Sequence, residues 1–290
     1  MAILIADSGA TKCEWCLSGT SKRKKTIFTQ GMSPYFLDAG QIEAILRNEL
    51  LPKLGQEGAE SVAAIYYYGT GCNNPDNVKI VQKALKRVFY NARSMEVTHD
   101  LMGVARASCG TEKGVACILG TGSNSAYYNG KKIGRISPGL GYALGDEGSG
   151  AYLGKKVIQY YCYNTFDEEL RYKFEAKYTS NVNEILENIY KKPLPNRYMA
   201  SFALFLSENR GHYMIENIIE DGLNDFFFTH LCKFGESWKY PIHFVGGVGY
   251  AFRDVVQELC HGYEFELGRI LQNPMSGLVK YHLADQPGKH

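Results

Sequence analysis

Two short loops of small residues, Asp7-Ser8-Gly9-Ala10-Thr11 and Gly120-Thr121-Gly122-Ser123, each follow an apolar run and offer backbone N–H groups together with hydroxyls. Phosphate oxygens take such donors: glycine lets the backbone approach closely and adopt positive φ, and Ser or Thr adds a donor without bulk. The first loop also brings charge. Asp7, at the end of an apolar strand, suits a Mg2+ ion bound directly or through water, and Lys12 could neutralise charge on the same phosphates. A glycine-rich hairpin after a strand is also an ordinary turn, so neither loop alone decides the chemistry. Their equivalent placement in the two halves of the chain says more. A third cluster, Val245-Gly246-Gly247-Val248-Gly249, follows an apolar strand and precedes a helix. An adenine or ribose can lie against bare backbone at such a corner. The cluster lacks GxGxxG spacing and sits near the C-terminus, which argues against a dinucleotide-binding βαβ unit.

The elements that must position these loops follow from periodicity. Ala2 to Asp7, Lys12 to Ser18 and Lys25 to Gln30 are β-prone runs separated by Gly, Ser and Lys turns, a three-stranded meander. Asp38 to Leu50 carries a helical stripe at Ile42, Ile45, Leu46 and Leu50 behind an acidic cap. Ser61 to Tyr68 reads as a strand, Asn74 to Phe89 as a helix, Ser94 to Thr98 as a strand and Asp100 to Ser108 as a short helix. The pattern then restarts with Gly114 to Leu119, Asn124 to Tyr128 and Lys131 to Ser137, followed by a helix over Glu147 to Tyr161. A mostly helical stretch, Asn164 to Tyr240, broken at Pro193 and Pro195, interrupts this second unit. Strand and helix resume at Pro241 to Val245, Tyr250 to Leu259, Tyr263 to Leu267 and a last helix from about Met275. Such a duplication predicts two similar lobes meeting along a cleft.

Composition narrows the partners. The 290 residues are 45% hydrophobic and 21% charged, enough for a substantial core, and 32 basic residues nearly cancel 30 acidic ones. No global field draws the chain to nucleic acid or an anionic membrane, so neither partner is expected. The basic run Ser21-Lys22-Arg23-Lys24-Lys25 reads as a solvated hairpin tip. Ala2 to Ala6 lacks a basic leader and is too short for a signal peptide, which predicts a cytoplasmic protein with its eight cysteines reduced. Cys13 and Cys16 have CxxC spacing, but within a strand an offset of three puts them on opposite faces, so ordinary packing is expected. Tyr66, Tyr67 and Tyr68 likewise must alternate faces.

The segments Asp7-Ser8-Gly9-Ala10-Thr11-Lys12, Leu119-Gly120-Thr121-Gly122-Ser123 and Phe244-Val245-Gly246-Gly247-Val248-Gly249 resemble, in order, the phosphate 1, phosphate 2 and adenosine motifs of the sugar kinase, Hsp70 and actin superfamily. The resemblance spans nearly the whole chain. Within it, Gly141-Tyr142-Ala143-Leu144-Gly145-Asp146-Glu147-Gly148-Ser149-Gly150 is similar to the segment that marks the N-acetylglucosamine kinase branch. That branch also contains the ATPase activators of benzoyl-CoA reductase and 2-hydroxyacyl-CoA dehydratase. The resemblance implies an α/β fold of two RNase H-like, actin-type ATPase lobes with a nucleotide cleft between them. The first lobe would hold residues 1–106 and 277–290, and the second 107–276 with a helical insertion around 164–240.

It also implies roles. Asp7, Gly9, Thr11, Lys12, Gly120, Thr121, Gly246, Gly247 and Gly249 would bind ATP, with Mg2+ on Asp7. A kinase needs a carboxylate to take the proton of the acceptor hydroxyl. Asp100 matches the catalytic aspartate of the family, although an Asp at that place is also a common helix N-cap. The resemblance assigns Asp146 to the sugar, while one carboxylate of the Asp146-Glu147 pair could cap the following helix. Thr121, Gly122, Asn124 and Gly139 match sugar-contacting positions, and Ser33 stands where an asparagine is usual. Leu140 replaces an aromatic residue of the animal enzymes.

The implied activity is phosphoryl transfer from MgATP to a hydroxyl, O6, of an N-acetylated amino sugar such as N-acetylglucosamine or N-acetylmuramic acid. The competing reading is an ATPase switch that drives a redox partner through an iron-sulfur cluster. Cys109, Cys117 and Cys162 do not fall where those cluster ligands lie. A sugar sensor without turnover is a third reading, opposed by Asp7 together with Asp100, and a homodimer stays open.

Overall fold

The computed structural model describes residues 2–9, 12–19 and 24–284. The chain divides into two compact units, Met1–Thr111 with Pro274–His290, and Glu112–Asn273.

In the first unit, β1 (Ala2–Ser8), β2 (Lys12–Ser18) and β3 (Lys25–Gln30) form the antiparallel meander. β4 (Val62–Gly69) and β5 (Ser94–His99) add in parallel, giving the order β3-β2-β1-β4-β5. Both faces of this sheet are covered, which is why β1 reads as an unbroken apolar run instead of an alternation. Leu4, Ala6, Cys13, Trp15 and Tyr67 share one core with Ile42 and Leu85 from the helices Ala39–Ile45 and Pro75–Val88. Ile3, Ile5, Cys16 and Tyr68 face the other way, onto Ala107 and Leu278 from the helices Asp100–Cys109 and Met275–Ala284. Cys13 and Cys16 therefore lie on opposite faces, as the spacing requires. The tyrosines alternate too: the Tyr67 hydroxyl donates to Met32 O at 3.0 Å, while Tyr66 stacks on His282 at 3.7 Å. Asp38 caps its helix in a reciprocal box with Gln41. The basic run at 21–25 falls largely outside the described residues.

The second unit repeats the plan. β6 (Lys113–Leu119), β7 (Ser123–Asn129) and β8 (Ile133–Ile136) form a meander, and β9 (Ile242–Val245) and β10 (Leu267–Leu271) add in parallel in the order β10-β9-β6-β7-β8. Each sheet thus places its first strand centrally, its second and third on one side and its fourth and fifth on the other. The expected insertion is helical, with Glu168–Lys177, Val182–Tyr190, Pro195–Ser201, Ala203–Glu208 and Tyr213–Thr229. Its aromatic side chains, Phe166, Phe174, Phe202, Phe205 and Phe226 among them, run into the same core as Val115, Cys117 and Leu119 of β6.

Among the boundaries that differ from the sequence reading, three have a clear local cause. The last strand lies at Leu267–Leu271, not Tyr263–Leu267, because Glu264 at φ 58° and the Phe265 N–H to Cys260 O bond close the preceding helix. The helix expected from Tyr250 is broken at Phe252 into Gly247–Ala251 and Arg253–Gly262. The helix expected from Glu147 begins at Gly150, and its cap is Ser149, whose Oγ accepts from Tyr152 N at 3.1 Å. Asp146 and Glu147 are therefore loop residues, and neither carboxylate caps that helix. Among the described residues no helix is long and apolar enough to cross a membrane.

Helix Gly150–Cys162 crosses Pro195–Ser201 so closely that a Cβ on Gly154 would stand 1.9 Å from Met199 O. Backbone cannot yield there as a flexible side chain could. Gly154→Ala is expected to destabilise the protein by about 3 kcal/mol in urea unfolding. Gly262→Ala, at a helical position with no atom near the added methyl, is expected to stabilise by roughly 0.5 kcal/mol. Equal effects of the two substitutions would contradict this packing.

Candidate active site

In the first sheet, β1, β4 and β5 are parallel neighbours, so their C-terminal ends lie side by side, with Ser8 paired to Gly69 and Gly69 to His99. That edge gathers Asp7, Thr70 and Asp100. Asp100 Oδ1 accepts from Leu101 N at 2.8 Å, and Oδ2 accepts from the Thr70 hydroxyl at 2.7 Å. Thr70 N in turn donates to Ser8 O at 2.9 Å, tying the three strand ends together. Asp7 is half-buried, and desolvation first, then the charges of Asp100 and Glu14, push its carboxyl up to about 7. Cys72, close by, is pushed up to about 12 by burial and by Asp100.

The remaining first-unit positions fall around this edge. Gly9 N donates to Lys12 O at 3.0 Å and closes the turn, while Thr11 lies outside the described residues. Lys12 extends its ammonium over the Phe28 ring, 3.8 Å from the centroid, on the β2–β3 side of the sheet. Ser33 is 2% exposed, and its Oγ has no hydrogen-bond partner among the described residues. A Cβ on Gly71, which has φ 88°, would come within 3.2 Å of that hydroxyl, so the loop after β4 runs against Ser33.

In the second unit the loop Gly120–Ser123 is gripped by backbone. Gly150 N donates to Gly120 O at 2.8 Å and Ala151 N to Thr121 O at 3.0 Å. Gly120 itself has open space where a Cβ would be. Asp146 takes φ 56°, a left-handed conformation that costs a non-glycine residue free energy and needs support from its surroundings. It aims its carboxylate at Gly122, where a Cβ would meet Asp146 Oδ2 at 3.1 Å, and accepts from Ser123 N over a long 3.4 Å. Burial raises its carboxyl above the usual carboxylate range, the Ser123 N–H opposes that, and Glu147 adds to it. Asn124 Nδ2 stands 3.4 Å from the Cβ position of Gly139. Gly122, Asn124, Gly139 and Asp146 thus come together in two contacting pairs, and Leu140 beside them is exposed.

The third cluster packs on the same strand end. Gly246 has φ 137°, and a Cβ there would lie 2.2 Å from Leu119 O. Gly249 also contacts Leu119, and Gly247 faces open space.

Two residues escaped the sequence reading. Thr70 carried a usable signal, since Gly69-Thr70-Gly71 repeats the tripeptide Gly120-Thr121-Gly122 directly after a strand. His230 carried none, because the contact it makes with Glu147 spans the insertion.

A divalent cation is testable against these residues. No group of three or more His, Cys, Asp or Glu side chains that could hold a metal occurs among the described residues. A half-buried acid pushed up to about 7 beside a second carboxylate suits a cation that keeps most of its waters and takes one or two carboxylates. Asp7 and Asp100 fit that requirement.

The two repeated five-stranded sheets define the two-unit architecture of sugar kinases and actin-type ATPases, and solved structures share it. No family model and no curated protein matches the sequence. A candidate N-acetylglucosamine kinase from Porphyromonas gingivalis is 37% identical over 98% of this chain and 99% of its own, with a TM-score of 0.93. A second candidate N-acetylglucosamine kinase, from Chromobacterium violaceum, shares the fold at 16% identity and a TM-score of 0.76, over 97% of this chain and 98% of its own. A glucokinase of the ROK family from Streptomyces griseus, solved with glucose and AMPPNP, shares it at 16% identity and 0.56, over 99% and 100%. The chain belongs to the N-acetylglucosamine kinase-like branch of the sugar kinase, Hsp70 and actin superfamily.

The raised Asp7 carboxyl has a pH signature. Its folded value near 7 lies above the usual 3.8, so between these values the folded state holds a proton that the unfolded chain has released. The stability associated with that proton is lost as pH rises through 7. In chelator-treated protein, Asp7→Asn is expected to be the more stable form at pH 8, by about 2 kcal/mol more than its advantage at pH 5. Added divalent cation should narrow the gap at pH 8. A difference between the two proteins that is the same at both pH values would contradict the assignment.

Proposed function

We propose that this sugar kinase transfers the γ-phosphoryl group of ATP to a hydroxyl, O6, of an N-acetylated amino sugar such as N-acetylglucosamine or N-acetylmuramic acid, with Asp100 as general base. The observation that carries the reading is the Asp100 carboxylate, fixed through both oxygens by Leu101 N and the Thr70 hydroxyl and standing at one strand edge with the half-buried Asp7.

Phosphoryl transfer asks little covalent chemistry of a protein. It asks for alignment and for neutralisation of spread negative charge. Two fixed hydrogen bonds leave Asp100 few orientations, so a sugar hydroxyl donating to a remaining lone pair would be held at a defined angle. As that oxygen bonds to the γ-phosphorus and the bond to the ADP oxygen breaks, Asp100 takes the hydroxyl proton. Mg2+, when bound at Asp7, would neutralise charge on the phosphate oxygens. Gly9, Thr11 and Lys12 in the first unit, and Gly120 and Thr121 in the second, would supply donors to those oxygens. Gly246, Gly247 and Gly249 would take the nucleoside. Ser33, Thr121, Gly122, Asn124, Gly139 and Asp146 would take the acceptor sugar, a role supported by the Ser33 hydroxyl, which has no partner among the described residues, and by Asp146 closing on Gly122.

Asp100→Asn keeps the shape of the side chain and removes the base. Its turnover is expected to fall by roughly 10²- to 10⁴-fold, with the thermal midpoint little changed, when ADP release is followed across a panel of amino sugars. Wild-type ADP formation should rise on addition of an N-acetylated sugar. Retention of most activity by Asp100→Asn would remove Asp100 from the mechanism, and ATP hydrolysis indifferent to every sugar would overturn the kinase reading.

A further inference from the structure

Glu147, next to Asp146, reaches away from the helix that follows it and joins two buried polar side chains in a hydrogen-bonded chain. Its Oε2 lies 2.9 Å from His230 Nε2, and His230 Nδ1 lies 2.6 Å from Ser137 Oγ. His230 is 4% exposed and Ser137 6%. The chain has a direction. An ionised carboxylate only accepts, so His230 Nε2 must carry the hydrogen, and in the neutral ring Nδ1 then accepts from the Ser137 hydroxyl. Ser137 is itself fixed, because its N–H donates to Ser125 O at 2.9 Å across β7.

The surroundings leave His230 little freedom. It follows helix Tyr213–Thr229, the last long helix of the insertion, and its ring lies 4.9 Å from that of Phe226. The Asp146 loop presses on the same helix end: Gly148 has φ 70°, and a Cβ there would stand 2.8 Å from Phe226 Cβ. Asp146 needs such support, because its left-handed backbone is otherwise held by the Ser149 N–H to its carbonyl at 3.0 Å and by the long bond from Ser123.

We infer that Ser137, His230 and Glu147 form a positioning chain that holds the Asp146-Glu147 corner in place for the acceptor sugar, so that His230, delivered by the helical insertion, is a specificity-determining residue of the sugar site. This rests on the kinase reading above. None of the three residues needs to touch the phosphates. Removing the His230 donor leaves Glu147 a part-buried carboxylate without its partner and lets the strained loop relax, which weakens sugar binding before it affects ATP.

The test is steady-state kinetics with N-acetylglucosamine and ATP varied separately. His230→Ala is expected to raise the sugar KM about tenfold or more, while the ATP KM stays within about twofold. His230→Gln, which can still donate an N–H to Glu147, should recover most of the loss. The double variant His230→Ala/Glu147→Gln should be no worse than His230→Ala, because both remove one interaction. Should His230→Ala fail to fold, Ser137→Ala is expected to raise the sugar KM several-fold with the same selectivity. A wild-type sugar KM in His230→Ala, or a parallel rise in both KM values, would overturn the inference while leaving the kinase reading intact. Absence of sugar-dependent ADP formation in the wild-type protein would overturn that reading and this inference with it.

Discussion

The second unit depends on one close approach, the backbone of Gly246 against the carbonyl oxygen of Leu119. β9 runs parallel to β6, with Val245 paired to Ile118, so the chain leaving β9 must turn directly over the end of β6. A side chain at that turn would begin 2.2 Å from Leu119 O, and the φ of 137° is open only to glycine. Because the turn is that tight, the corner Gly247–Ala251 and the loop Gly120–Ser123 share the end of one strand. Gly150 and Ala151 then clamp the loop through their N–H groups, and Asp146 is brought over Gly122. The first unit solves the same problem with Thr70 N bonding Ser8 O and with Gly71 at φ 88°. There the residue at the turn keeps a hydroxyl, and that hydroxyl fixes Asp100.

Both units also place an acid beside another acid. Asp7 has Asp100 and Glu14 near it, and Asp146 has Glu147. Burial dominates each upward shift, with the neighbouring carboxylate adding to it. The two pairs are resolved differently. Asp100 takes the Thr70 hydroxyl and Leu101 N–H, and Glu147 takes the His230 ring, so in each pair one carboxylate is anchored. Among the described residues the Asp146 carboxylate has the long bond from Ser123 N–H. An anchored acid beside a less constrained one is suited to recognising a ligand that brings cations or hydroxyls, and it makes the anchors as consequential as the residues that face the ligand.

Much of this was legible in the residues. The unbroken apolar run of β1, the Asp38 and Gln41 box and the offset of Cys13 and Cys16 all rest on contacts within a few positions, where spacing dictates geometry. The repeated meander is legible for the same reason, whereas the sides on which β4, β5, β9 and β10 join depend on pairing between distant segments. What the sequence hid depends on distant contacts or on the competition between nearby caps. Ser149 outcompetes Asp146 and Glu147 as the cap of helix Gly150–Cys162 because the loop's left-handed turn at Asp146 directs both carboxylates elsewhere. Glu264 ends a helix by adopting positive φ, which no local preference of glutamate announces. The bonds of His230 to Ser137 and Glu147 bridge 93 and 83 residues, and only the folded insertion makes them.

The proposed reaction passes a phosphoryl group from ATP to a sugar hydroxyl, with Asp100 as the proposed base. The most direct measurement is phosphorus NMR of a reaction containing the protein, MgATP and N-acetylglucosamine. The account predicts a new phosphomonoester resonance coupled to the C6 protons of the sugar, growing one for one with ADP. Inorganic phosphate as the only new phosphorus species, with the sugar unmodified, would contradict it.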